Sequence, residues 1–255
     1  MLNSREKNDQ ALFDNIAESY AKKDFIHYCR EARKQRLLQS IQNLEKPVGS
    51  ILEIGCGAGF TAEYLKDYYH SYTGLDYSEN LINFAQQHHR DKRIEFICSS
   101  LDAFETSNRF DAIVLIGVLH HMPQPEKALQ QIKHLLKETG TVIVNEPAKN
   151  NLMVRLLRYI RKKTDSDYSS DQVEFSCEEL KVMFESQGLQ PTVYFQGIFS
   201  TPFAETTFLP GWLAEPFALL ACKLDRFLEK NTPKNLLKFL SWNVVVQGRI
   251  QTTRH

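Results

Sequence analysis

The stretch Ile51-Leu52-Glu53-Ile54-Gly55-Cys56-Gly57-Ala58-Gly59-Phe60-Thr61 limits what this chain can fold into more than any other. A short apolar run that ends in three glycines at alternate positions reads as a buried strand, a tight turn and the start of a helix. Such a turn lets bare main chain approach a nucleotide-like ligand without Cβ interference. The glycine spacing is G-x-G-x-G. A dinucleotide fingerprint is G-x-G-x-x-G/A and wants a small residue where Phe60 stands. Glu53 lies inside the strand, two positions before Gly55. A carboxylate there repels phosphate and suits a ligand that carries an ammonium group.

Around this turn, short apolar strands alternate with amphipathic helices. Strands are expected over 51–54, 72–75, 94–98, 110–116 and 141–145, and helices over 61–68, 79–88 and 123–136. Ser78 is available to cap the second of these helices, and Thr139-Gly140 to end the third. This order predicts an α/β fold with a parallel sheet covered by helices on both faces. Before it, residues 14–44 are mostly helical by pattern, with the second helix over about 29–44, and 47–50 is punctuation. After Pro147 the pattern changes. A basic amphipathic helix spans 151–163, 163–174 is a polar loop, and a helix spans 177–187 with Ser176 and Glu179 placed for a capping box. Strands are expected at 192–196 and 242–250. Between them runs an insertion, about 198–240, with proline breaks at Pro202, Pro210, Pro216 and Pro233.

The 255 residues carry 31 basic and 31 acidic side chains, so the basic excess usual in nucleic-acid binders is absent and no nucleic-acid partner is expected. Five scattered cysteines without a C-x-x-C fit a reducing compartment. The N-terminus has no apolar run behind it, and no stretch reaches membrane-spanning length. The expectation is a cytoplasmic protein that can also lie on the inner face of a membrane.

The segment 51–61 resembles motif I of the class I S-adenosylmethionine (SAM)-dependent methyltransferases. The chain is similar to the small-molecule members of the ubiquinone and menaquinone biosynthesis type. The resemblance implies one methyltransferase domain over 1–255, with N-terminal helices in 1–49, a SAM-binding core in 50–146 and a C-terminal part in 147–255. It also implies a Rossmann-like, seven-stranded, mostly parallel sheet with a helical lid and a helical insertion before the last strand. SAM is then the cofactor and S-adenosylhomocysteine (SAH) the product.

Residue by residue, the resemblance puts the methionine end of the cofactor on Glu53 and on the backbone of Gly55 and Gly57. Cys56 serves as a small residue and Gly59 completes the turn. Asp76 ends the second strand about 20 residues on, where a carboxylate accepts ribose hydroxyls; a helix-capping role is the alternative, although Ser78 can do that. Tyr77 can stack on adenine. The loop Ser99-Ser100-Leu101-Asp102 meets the adenine ring. The family usually has Asp where Ser100 stands, and Asp102 can substitute. Ile116 and Gly117 follow the fourth strand near the sulfonium. Phe13-Asp14-Asn15-Ile16-Ala17-Glu18-Ser19-Tyr20 is similar to the family's N-terminal lid helix, which brings Tyr20 over the cofactor.

Val118-Leu119-His120-His121 also matches a family pattern. His120 or His121 can act as general base or simply shape the pocket. Glu146, at the carboxyl edge of the sheet, can bind substrate, act as base or anchor a loop. No metal site is expected, because adjacent histidines lack a companion ligand cluster. The D/N-P-P-Y of amino-group methylators is absent, as is a cysteine pair for pyrimidine attack. The expected acceptor is therefore a small or lipid-like molecule. RNA or protein methylation, or a non-catalytic SAM-fold protein, are the alternatives. Apolar stripes in 151–163 and 208–228 point to peripheral membrane contact. The same stripes also fit a helix packed on the core or a dimer interface, and the oligomeric state is open.

Overall fold

The computed structural model describes residues 4–164 and 173–250; most of the expected 163–174 loop lies outside them. In chain order the elements are α1 (Ser4–Phe25), α2 (His27–Ser40), β1 (Val48–Ile54), α3 (Phe60–Tyr64), β2 (Tyr69–Asp76), α4 (Glu79–His88), β3 (Ile94–Cys98), β4 (Phe110–Ile116), α5 (Pro125–Leu135) and β5 (Leu136–Pro147). Then come α6 (Leu152–Thr164), α7 (Cys177–Ser186), β6 (Leu189–Gln196), α8 (Thr201–Glu205), α9 (Gly211–Asn231), α10 (Lys234–Leu240) and β7 (Asn243–Ile250). Short 3₁₀ turns sit at Leu101–Ala103 and Leu119–His121.

The seven strands form one sheet in the order β3-β2-β1-β4-β5-β7-β6. All neighbours are parallel except β7, which runs antiparallel to both β5 and β6. The order reverses between β1 and β4. In open α/β sheets that switch point, at the carboxyl ends of the strands, is where ligands sit.

Period-two alternation divides the core into two layers. Leu52, Ile54, Ile113, Leu115, Val142 and Val144 face one side, together with Leu129 and Ile132 of α5 and Leu180 and Phe184 of α7. Ile51, Ala112, Val114 and Ile143 face the other, with Leu37 and Ile41 at α2 and Leu81 and Ala85 of α4. Glu53 has the parity of Ile51, so its carboxylate is delivered to the α2 side of the sheet. This alternation sets the geometry of the site.

Several boundaries differ from the sequence expectation. The first helix starts at Ser4, ten residues earlier than expected. The stretch read as punctuation at 47–50 already belongs to β1, and α3 is short because β2 begins at Tyr69. Thr139-Gly140 does not end α5 but lies inside β5. There the β4–β5 register shifts, and a Cβ on Gly140 would stand 2.9 Å from the carbonyls of Lys137 and Phe110, so a side chain has no room. Pro191 lies within β6, which it can do because β6 is an edge strand. The Ser176 capping box forms as expected.

Of the four insertion prolines, Pro202, Pro210 and Pro233 stand at helix starts, but Pro216 is inside α9 and does not break it. The buried Asp225 of α9 anchors the insertion. Its carboxylate accepts from the Phe199 amide at 2.9 Å, the Ser200 amide at 2.9 Å and the Ser200 hydroxyl at 2.6 Å. Beside it, Glu229 accepts from the Gly197 amide at 2.7 Å. Buried donors in a loop need such partners.

Candidate active site

At the switch point two chambers open side by side. The larger has a volume of about 170 Å³ and the smaller about 50 Å³, and Tyr20, Gly55 and Ile116 line both. The partition between them is the glycine turn itself. Gly55 has φ +73°, and a Cβ there would lie 2.5 Å from Val118. Gly59 has φ +80°, and a Cβ would lie 2.7 Å from the Phe96 ring and 2.9 Å from Ala85. Both positions combine a left-handed backbone with close packing, which only glycine accommodates.

In the larger chamber, Asp76 stands at the end of β2. One carboxylate oxygen accepts from the Gly57 amide at 2.9 Å and the other from the Ser78 amide at 2.9 Å. Burial raises its pKa, and these two amides work against that rise. Ser78 caps α4 through its own hydroxyl, accepting from the Leu81 amide at 3.2 Å. Tyr77, Ser99, Ser100, Leu101 and Asp102 continue the wall, and Met122, Gln124 and Lys127 face them across the opening. Ile116 and Gly117 form the floor.

The smaller chamber is polar. Glu53 lines it together with Arg33, Arg36, Cys56 and Thr61. The Glu53 carboxylate accepts from the Tyr72 hydroxyl and is buried. That burial pushes its pKa up to about 7, against the opposing bonds from Tyr72 and Thr61. Arg33 pairs with Asp24 at 2.9 Å and lies over the Tyr20 ring. Arg36 has a buried Nε without a hydrogen-bond partner. Burial raises the pKa of the Cys56 thiol, which fits a small filler rather than a nucleophile.

α1 closes the larger chamber from above with Glu6, Phe13 and Tyr20. Phe13 and Tyr20 meet edge to face at 6.0 Å. The helix is tied to the start of α4: the Asp14 carboxylate accepts from the Ser78 hydroxyl at 2.6 Å, and Gln10 donates to the Tyr77 carbonyl at 2.7 Å.

The three candidate bases separate. Glu146 is fully buried and lines neither chamber. One of its oxygens accepts from the amides of Val118 at 3.1 Å and Leu119 at 2.8 Å. The other is 2.5 Å from Nδ1 of His120, which is likewise off both walls. Burial lowers the His120 pKa despite the Glu146 carboxylate. The expectation that Glu146 or His120 faces substrate is therefore corrected: the pair holds the 119–121 turn together. His121 does line the larger chamber. Gly59 and Cys56, also expected at the cofactor, shape the turn without forming the larger chamber's wall. Sequence reasoning missed Glu6, Asp9, Arg36 and Lys127, none of which belongs to a local motif.

These residues fit SAM. An orphaned guanidinium nitrogen and a buried carboxylate in the small chamber complement an amino-acid zwitterion, and the larger chamber offers Asp76 for ribose hydroxyls. Comparison with known proteins agrees. Residues 52–144 match the methyltransferase domain family. The ubiquinone biosynthesis O-methyltransferase of Coxiella burnetii is 27% identical over 152 residues, covering 57% of this chain. The chain spans 64% of that relative's length. Among solved structures, a SAM-dependent methyltransferase of Thermotoga maritima superposes with a TM-score of 0.66 at 18% identity, covering 95% of this chain and 100% of that one. DhpI in complex with SAH gives 0.63 at 16% identity, covering 99% and 100%. Residues 52–144 thus carry a methyltransferase domain, set in a seven-stranded sheet that shares its fold with solved SAM-dependent methyltransferases.

Proposed function

We propose that this chain transfers the methyl group of SAM to a hydroxyl of a small, partly apolar acceptor. The observation that carries the reading is the two-chambered cleft. The wider chamber suits an adenosyl group, with Asp76 toward the ribose and 99–102 along the adenine. The narrow polar chamber suits the methionine end, its ammonium toward Glu53 and its carboxylate toward Arg36. Both meet at Gly55 and Ile116, beside His121. A sulfonium is an activated leaving group, so the protein mainly has to align acceptor, methyl carbon and sulfur. Alignment of that kind supplies roughly 7–11 kcal/mol. The ubiquinone O-methyltransferase relatives support an oxygen acceptor with lipid-like character.

The surface supports the same class of acceptor. α6 exposes Leu152, Met153, Leu156 and Ile160, and its sequence has five basic residues and no acidic one. α9 turns its small residues inward: Ala214, Ala218, Ala221 and Cys222 are buried, whereas Leu213, Phe217, Leu220, Leu224 and Phe227 are exposed. Trp212, at 81% exposure, extends that apolar face toward the start of the helix. Exposed apolar stripes beside basic residues suit an anionic bilayer surface, which would give access to a lipid-like acceptor. Among the described residues no helix is long and apolar enough to cross a membrane.

The deciding experiment is incubation with methyl-labelled SAM and fractionated cell extract. Label is expected in the lipid or small-molecule fraction; label confined to RNA or protein would defeat the acceptor assignment. Sedimentation with vesicles tests the surface. Binding is expected to phosphatidylglycerol-containing vesicles, to fall as salt rises, and to weaken in a Leu156→Asp, Phe217→Asp variant. Absence of binding, or binding untouched by the double substitution, would count against the membrane contact.

A further inference from the structure

The 119–121 turn presents two adjacent imidazoles, each with Nδ1 against a carboxylate, and only one of them reaches the cleft. His120 is held by Glu146 from β5 inside the protein. His121 is held from the opposite direction. Its Nδ1 lies 3.2 Å from Oδ2 of Asp9, on α1 and 112 residues away in sequence. Asp9 is itself buried, at 3% exposure. The Phe13 and His121 rings meet in a T-shaped arrangement at 5.6 Å and the His120 ring lies 4.2 Å away, so two rings restrict the imidazole.

The geometry points to Asp9 as the positioning residue for a His121 general base. An imidazole whose Nδ1–H is engaged by a carboxylate leaves Nε2 bare to take a proton, and the His121 ring lines the cleft. This inference rests on the methyl-transfer reading above and narrows it to acceptors that must lose a proton. The acceptor oxygen passes its proton to Nε2 of His121 and bonds to the methyl carbon. The carbon–sulfur bond breaks and its electron pair stays on sulfur as the SAH thioether. The positive charge that leaves the sulfonium reappears on the imidazolium, beside the Asp9 carboxylate, until solvent takes the proton.

Asp9 thereby supplies a buried countercharge to the imidazolium that this proton transfer creates. The lid helix completes the base, so proton removal is available only when α1 lies over the cleft. The titratable and charged groups near His121 include Glu6 and Arg5 of α1, the latter donating to the His120 carbonyl at 2.8 Å, His120 in its own turn, Asp76 and Tyr77 at the end of β2 and Lys127 of α5.

The test uses the full chain. ¹⁵N NMR of the histidine side chains, with His121 assigned from a His121→Gln variant, is expected to show the Nδ1–H tautomer in the wild type. Asp9→Asn is expected to lose that bias, because a carboxamide can donate to Nδ1, and Asp9→Glu to retain it. With methyl-labelled SAM and catechol as the probe acceptor, Asp9→Asn is expected to lower kcat by about tenfold or more, with KM for SAM unchanged.

An Nε2–H tautomer in the wild type, or one unaffected by Asp9→Asn, overturns the proposal. So does a methylated product whose rate ignores the substitution; in that case the methyl-transfer reading survives. The expected tautomer with no label in catechol or in any extract fraction overturns the base role and the proposed function together.

Discussion

Asp76→Ala is expected to weaken SAH binding by at least about 100-fold, measured by isothermal titration calorimetry. The carboxylate ends β2 on the cleft wall and is held by the Gly57 and Ser78 amides. Those two bonds fix its orientation and leave lone pairs for two ribose hydroxyls. Hydrogen bonds to a charged group contribute about 1.5–3 kcal/mol each. Alanine removes both and also frees the Gly57 amide, which loosens the glycine turn on which the ligand rests. Asp76→Asn keeps the shape and one acceptor oxygen, so a loss of about tenfold is expected for it. A thermal midpoint of the free protein, compared across the two variants, separates a local loss from a general loss of fold. Unchanged SAH affinity in Asp76→Ala would remove this residue from the site.

The same titration repeated across pH is expected to show SAH affinity level above about pH 7 and falling below it. Burial lifts the Glu53 carboxyl to about 7, with Tyr72, Thr61, Asp76 and Arg33 as its electrostatic surroundings. Below that value the free protein carries a neutral Glu53. An ammonium ligand selects the ionised form, so its binding then releases a proton. The dissociation constant should rise by up to about tenfold per pH unit, reaching about 100-fold at pH 5. The ligand's own ammonium stays largely protonated between about pH 5 and 7.5, so it does not create the slope. Glu53→Gln should bind more weakly and show a flat profile over this window. A wild-type profile that is flat from pH 5 to 7.5 would mean that Glu53 does not meet the ammonium.

The central fold was readable because parallel strands buried on both faces are near-continuous apolar runs, and the limits of β4 coincide with such a run. Ends governed by pairing were less readable. Val48 and Gly49 look like turn residues until they are seen to continue β1 beside β2. Gly140 looks like a helix stop until the strand beside it is seen to need a position without a side chain. Within the site, residues carried by the glycine turn and the strand ends could be located from spacing alone. Arg36 and Asp9 could not, because Arg36 reaches the cleft, and Asp9 reaches His121, from helices whose placement depends on tertiary packing. His120 and His121 are indistinguishable in sequence, and their different fates follow from which carboxylate faces each ring. In α9 the large apolar residues fitted membrane contact, core packing and a dimer interface alike; the alanine face lies inward, where small side chains let the helix approach its neighbours closely, and the large residues stay exposed.

One carboxylate joins parts of the molecule that would otherwise seem independent. Glu205, at the end of α8, reaches Lys23 of α1 at 2.7 Å and Arg36 of α2 at 3.5 Å. Arg36 is also the residue offered to the cofactor's acid group. The insertion thus competes for a cation that the methyl donor needs. Grafting a foreign insertion here to broaden acceptor choice would also reset how long the methyl donor stays bound, unless an anion is kept at position 205.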